Sequence, residues 1–193
     1  NYRQIFTNSD LLQVLRNTAL WVVLVPTVST AVGLIYAILV DRTRHEKLAK
    51  ALIFLPMAIS LVGASIIWKF VYAYRASDKD QIGVVNQLLV TLGFDSYRFV
   101  LTEPWNTLFL IVVMIWVQAG FAMTILSAAI KAIPDDIVEA AKLDGVTSFK
   151  LFRYITVPGV RESTLILTVI TIFGAFKVFD IVWVMTAGGP NHA

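Results

Sequence analysis

The chain has 193 residues, 58% hydrophobic and 15% charged, with a formal net charge of +3 and no cysteine. A soluble domain carries about a quarter charged residues, so these proportions, with a mean hydropathy of +0.75, exclude an ordinary soluble domain. The absence of cysteine excludes a disulfide framework and thiolate chemistry.

The apolar residues cluster into runs near the roughly 20 residues that span a bilayer as a helix. The fold class is therefore all-α: a polytopic α-helical membrane protein with at least four spanning helices in this fragment. The chain opens on Asn1-Tyr2-Arg3, without an initiator Met or a signal-peptide pattern, and reads as a piece of a longer protein. The first span covers about residues 19–40 and holds no charge. The second covers about 51–72 and is interrupted only by Lys69. Pro26 and Pro56 lie inside these spans and are expected to kink or loosen them.

Residues 74–103 form a loop in which Ile82, Val85, Leu88, Leu89 and Leu92 recur at helical spacing. That pattern predicts a short amphipathic helix lying on the membrane face or capping the bundle. The third span covers about 104–130, without charge. A polar segment, 131–161, separates it from a fourth span at about 163–187, which contains Lys177 and Asp180. Gly188-Gly189-Pro190 then signals a turn, and the domain reads as truncated before its last helix.

Basic residues set the orientation. The loop 41–50 carries Arg42, Arg44, Lys47 and Lys50, and the segment 131–161 carries Lys131, Lys142, Lys150, Arg153 and Arg161, so both face the cytoplasm. In residues 74–103, Arg75, Lys79 and Arg98 are balanced by Asp78, Asp80, Asp95 and Glu103, so this loop faces outward. Trp21, Trp68, Trp105 and Trp183 then fall near the outer interface, where indoles favour the headgroup level. Ser29, Gly33 and Ala37 on the first span, and Gly120, Thr124 and Ala128 on the third, repeat every four residues. Such stripes suit helix seams within one bundle, or a subunit interface.

The polar segment has a definite local design. Pro134 suits the first turn of a helix. Asp135, Asp136 and Glu139 place negative charge near the positive end of its dipole. Ala140 and Ala141 are strong helix formers with small side chains, and Gly145 is able to end the helix in the left-handed conformation. Phe149, Phe152 and Tyr154 offer an aromatic surface, and Val157-Pro158-Gly159 is expected to break the chain before the next span. A short charged helix between spans is a docking element for a soluble partner, or simply a well-capped connector.

The run Ile133-Pro134, Glu139-Ala140-Ala141, Asp144-Gly145, Phe152 and Pro158 resembles the "EAA" signature of ABC-importer permeases. Asn1-Tyr2, Asn17-Thr18-Ala19-Leu20, residues 83–89 and residues 186–190 resemble the carbohydrate branch, the maltose-permease-like subunits. Residues 68–75 and 177–180 look most like the α-glucoside permeases. The resemblance covers nearly the whole chain and implies one maltose-permease-like (MetI-type) transmembrane domain over 1–193, in a bacterial or archaeal plasma (inner) membrane. It implies that residues 131–161 are a coupling loop seated in a cleft of a separate nucleotide-binding ATPase, with Glu139, Ala140, Ala141, Asp144 and Gly145 at its core. It also implies a second permease subunit, an extracytoplasmic sugar-binding protein, and ATP and Mg held by the ATPase. No cofactor, metal or nucleic acid is expected on this chain. Val146 stands where many relatives have a small Ala.

Ionisable residues inside a span cost roughly 2.5–3.5 kcal/mol each at its centre and are functional candidates by default. Lys177 and Asp180 are three apart, so on one helix they would share a face and pair; a structural ion pair and direct substrate contact both stay open. Gln118 is a polar amide in an apolar stretch, and amides and aromatics suit a sugar's hydroxyls and partly apolar ring. By resemblance, the sugar site falls at Met114, Gln118 and Phe121 on the third span and at Gly174, Ala175 and Val178 on the fourth. The asparagines that maltose permeases carry on the later span are missing, which puts maltose itself in question.

No Gly-x-x-x-x-Gly-Lys-Ser/Thr loop is present to cradle ATP phosphates, His45-Glu46 lacks a second His at metalloprotease spacing, and no catalytic residues are expected. The reading is the membrane subunit of an ATP-driven importer moving a carbohydrate, an oligosaccharide or α-glucoside, by alternating access. The alternatives are a permease for another cargo such as glycerol phosphate, which Lys177 leaves open, and a secondary transporter. A secondary transporter would show an inverted repeat and its own ion site, and neither is visible. An intramembrane enzyme would need a nucleophile beside Lys177 and Asp180.

Overall fold

The structure is a computed structural model, and it describes residues 7–41, 43–76 and 80–189. Asn1, Tyr2, Arg42, Asp78, Lys79 and Pro190 lie outside the described residues. All regular structure in the described residues is helical.

Helix α1 (Ser9–Val40) starts ten residues before the first apolar run. The Asn8 side chain caps it by accepting a 2.9 Å hydrogen bond from the Asp10 backbone N–H. At 1.5 Å per residue, 32 residues reach about 48 Å, well beyond a hydrocarbon core of about 30 Å. The helix stays continuous through Pro26.

The second span is not one straight helix. Helix α2 (Glu46–Phe54) passes into a tight 3₁₀ turn (Leu55–Ala58), and α3 (Leu61–Val71) restarts after a bend of 101°. Pro56 cannot donate a ladder hydrogen bond, and extended Ile59 ends the turn. Ser60 then caps α3, its hydroxyl accepting from the Gly63 N–H at 3.1 Å. The proline effect foreseen for this span is thus a sharp corner.

In the outer loop, α4 (Val84–Thr91) confirms the amphipathic helix. Val85 and Leu89 pack inward, while Ile82, Leu88 and Leu92 are exposed. Asn86, fully buried, donates from Nδ2 to the carbonyls of Ala73 (2.9 Å) and Tyr97 (3.1 Å) and accepts from the Tyr97 N–H (2.7 Å), tying the loop to the end of α3.

Helix α5 (Asn106–Lys131) is the third span and the most buried helix, and its pairing with α1 is the most extensive in the bundle. The small residues of α1 explain why. A side chain on Gly33 would begin 2.4 Å from Ala122 Cβ and 2.8 Å from the Met123 backbone nitrogen. Ser29 and Ala37 are fully buried on the same stripe. The small-residue stripe of α5 is not the surface that meets α1. Gly120 instead lies against the backbone of α2, 2.3 Å from the Ile53 carbonyl by the same measure, and Thr124 and Ala128 are exposed. Ala122 meets α1 in their place.

The segment 131–161 is largely helical: α6 (Asp135–Leu143), α7 (Ser148–Leu151), a π turn (Phe152–Thr156) and α8 (Val157–Gly159). The expected break at Val157-Pro158-Gly159 falls one residue later, at Val160, with a 61° bend into α9 (Arg161–Phe176). Pro158 leaves the helix short of one donor, and the wide turn just before it, closed by Val157 N–H to the Phe152 carbonyl, accommodates that loss.

The fourth span also breaks. α9 ends at Phe176, and α10 (Asp180–Thr186) begins four residues on. α9 packs mainly on α1, and α10 on α3. The core divides into an outer cluster around Trp21, Tyr72, Leu110 and Ile181 and an inner one around Ala37, Met123, Leu126 and Leu167. Trp21 is buried and Trp68 packs against the outer cluster, so only Trp105 and Trp183 of the four foreseen indoles stand exposed as interfacial anchors would.

Candidate functional site: an unpacked helix and a polar contact in the spans

Helix α6 stands off the bundle. None of its residues is buried, and it makes no extensive contact with any other helix. Pro134 is its cap, in extended conformation, and not its first turn; Asp135 and Asp136 open the helix, next to the dipole end that favours them. The far end is closed by two hydrogen bonds, Gly145 N–H to the Lys142 carbonyl and Val146 N–H to the Ala141 carbonyl, both 3.0 Å. This is the Schellman pattern, and it requires Gly145 at φ +73°.

Glu139, Ala140, Asp144 and Gly145 are exposed, and Ala141 is half-buried. Beside them Leu143 is 88% exposed and Phe149 74%, too much large apolar surface for a connector with no partner. Tyr154 adds to it, while Phe152 is half-buried. Leu143 escaped the sequence reading because an isolated leucine in a short helix looks like a core anchor. A groove of 370 Å³ behind α6 is lined by Ile133, Pro134, Ile137, Tyr154 and Gly159.

The second constellation lies in the spans. Structure brings Met114, Gln118 and Gly174 together: a side chain on Gly174 would begin 3.1 Å from Gln118 Nε2 and 3.6 Å from Met114 Cε. Met114 and Gln118 are one helical turn apart, so α5 presents both on one face. The remaining candidates do not join them. Phe121 packs against the inner cluster. Ala175 and Val178 face α1 and line a separate 270 Å³ cleft with Asn17, Thr18 and Trp21.

Lys177 and Asp180 form no ion pair with each other, and they do not share a helix. Lys177 caps the C-terminus of α9, and Asp180 opens α10. Each charge sits at the helix end whose dipole favours it, which replaces the pairing expected from their spacing. Phe179 and Trp183, four residues apart, stack with centroids 5.7 Å apart and both rings mostly exposed; their i,i+4 spacing was the available signal.

A third grouping was read only as orientation charge. Lys50 Nζ meets Asp41 at 2.6 Å and Glu46 at 2.8 Å, and Lys131 pairs with Glu46 and, at 3.9 Å, with Asp41. Hydrogen bonds from Lys131 and Lys50 hold the Glu46 carboxyl at about 2, well below its ordinary 4.5.

A family model described as "Binding-protein-dependent transport system inner membrane component" matches residues 13–191. The osmoprotective compounds uptake permease protein GgtC of Synechocystis sp. is 49% identical over 99% of this chain and 68% of its own length. The alpha-glucoside transport system permease protein AglF of Rhizobium meliloti is 46% identical over 97% of this chain and 56% of its own. A crystal structure of a bacterial alginate ABC transporter, in complex with an alginate pentasaccharide-bound periplasmic protein, superposes with a TM-score of 0.80 at 23% identity, covering 99% of this chain and 65% of the matched one. The chain thus spans a little over half to two thirds of the length of these relatives.

Proposed function

The chain belongs to the family of binding-protein-dependent transport system inner membrane components, and from that premise we propose that it acts in the membrane subunit of an ATP-driven carbohydrate importer. The observation that carries this is α6: a capped, unpacked helix with exposed Leu143, followed by exposed Phe149 on α7, set between two apolar helices. Such an element suits a cleft on a separate ATPase, which would bind ATP and Mg and perform the hydrolysis. Closure of that ATPase would move α6 and, through it, α5 and α9, so that a pathway shared with a second permease subunit opens alternately to each side.

An α-glucoside or related oligosaccharide is the cargo best supported, by the α-glucoside permease among the relatives and by the Gln118 amide at the α5–α9 contact beside Gly174. An extracytoplasmic binding protein would deliver it. The test is uptake by the complete assembly in proteoliposomes, with labelled trehalose, maltose, sucrose and methyl α-glucoside. A cross-link between a cysteine placed at Leu143 and the ATPase is expected, and the chain has no native cysteine to confuse it. ATP-dependent uptake of none of these sugars, with no such cross-link, would overturn the reading.

A further inference from the structure

Helix α2 has no buried residue, and Leu48 and Leu52 on it are largely exposed. Ala49 and Ile53 pack on the inner cluster, and two further attachments join the helix to α5: the backbone contact at Gly120 near its end, and the charged cluster at its start. That cluster joins three elements. Asp41 follows α1, Glu46 and Lys50 belong to α2, and Ser127 and Lys131 belong to the last turns of α5. The Ser127 hydroxyl donates to Asp41 (2.8 Å) and accepts from Lys50 Nζ, so its single proton and a lone pair are both used. Two carboxylates face two ammonium groups, and the Asp41 side chain is largely shielded from solvent.

Lys131 is the last residue of α5, and only residues 132–134 separate it from α6. We propose that this cluster is a transmission joint: it makes α2 follow α5 when the coupling helix moves, with Lys131 and Glu46 as positioning residues. Without it α2 keeps only the Gly120 contact and the apolar packing of Ala49 and Ile53, and part of each stroke is lost before it reaches the corner at Pro56 and α3 beyond. The inference rests on the importer reading.

The experiment uses the complete assembly in proteoliposomes and measures sugar transported per ATP hydrolysed, with the sugar that gives the highest uptake among the four above. Lys131 is 52% exposed, so Lys131→Met removes its charge without opening the core. Lys131→Met and Glu46→Gln are each expected to lower transport per ATP roughly 3- to 10-fold while hydrolysis continues. The double variant should be no worse than the poorer single one, and Lys131→Arg should retain the unmodified ratio. A cluster that only stabilises the fold would lower yield or melting temperature and leave transport per ATP unchanged; that result overturns the proposal. Should Glu46→Gln fail to assemble, the Met and Arg variants of Lys131 decide alone. Absence of sugar-stimulated hydrolysis in the unmodified assembly would refute the importer reading and the joint with it, whereas normal coupling that Lys131→Met leaves intact refutes only the joint.

Discussion

The Gln118 carboxamide lies 3.1 Å from the point where a side chain on Gly174 would begin. The α5–α9 contact at this level is therefore set by the absence of a Cβ, and the amide occupies the space that absence leaves. Gly174→Ala should displace Gln118 by a few tenths of an ångström and raise the KM for sugar several-fold, with insertion unchanged. Gln118→Leu should weaken uptake without altering ATPase docking. Uptake kinetics in proteoliposomes check both, and kinetics identical to those of the unmodified assembly for both variants would remove this contact from the sugar path.

Gly145 has nothing within 4 Å of where a Cβ would stand, so a side chain there meets no obstacle except its own backbone at φ +73°. Gly145→Val is expected to cost the end of α6 about 1–2 kcal/mol. Transport per ATP should fall roughly tenfold while the spans remain inserted. Gly145→Asn, which tolerates the left-handed region better, should fall less. The comparison of the two variants in the same transport assay checks the conformational cause.

The α1–α5 seam is sterically closed at Gly33. Leucine there would have to displace Ala122 and the Met123 backbone, an overpacking cost of about 1–3 kcal/mol. Gly33→Leu should lower the melting temperature in detergent, whereas Gly189→Leu, with open space around it, should not.

The acid response of Glu46 has a definite sign. Its carboxyl is held down at about 2 from 4.5, so its contribution to stability is fully present above about pH 4.5 and is lost as pH falls toward about 2. The melting temperature should not depend on this group above pH 4.5. Below it, the unmodified protein should lose stability more steeply than Glu46→Gln, and parallel curves would contradict the pairing.

Much of the fold is legible in the residues because lipid demands long apolar runs, and α1 and α5 stand where those runs stand. Helix α6 is equally plain, since Asp135, Asp136 and Gly145 are local signals that need no tertiary context. What hydropathy hides is interruption. The second and fourth spans are apolar enough on average, yet each breaks where a backbone rule overrides the average: at Pro56 in one, and between Lys177 and Asp180 in the other. The spacing of those two charges suggested a pair; the helix dipoles offered each a better place. The split of Ala175 and Val178 from Gln118 was equally out of reach, because it depends on which side of α9 meets α1. The charged joint was hidden for another reason: Asp41 and Lys131 are 90 positions apart, and only the α1–α5 pairing brings them together.

The gap between α9 and α10 gives the fourth span two owners. Its lower piece is fastened to α1 and its upper piece to α3, with residues 177–179 as the sole covalent tether between them. The two pieces are thus seated on different neighbours and joined by three residues outside regular helix, so the span is not a single stiff rod.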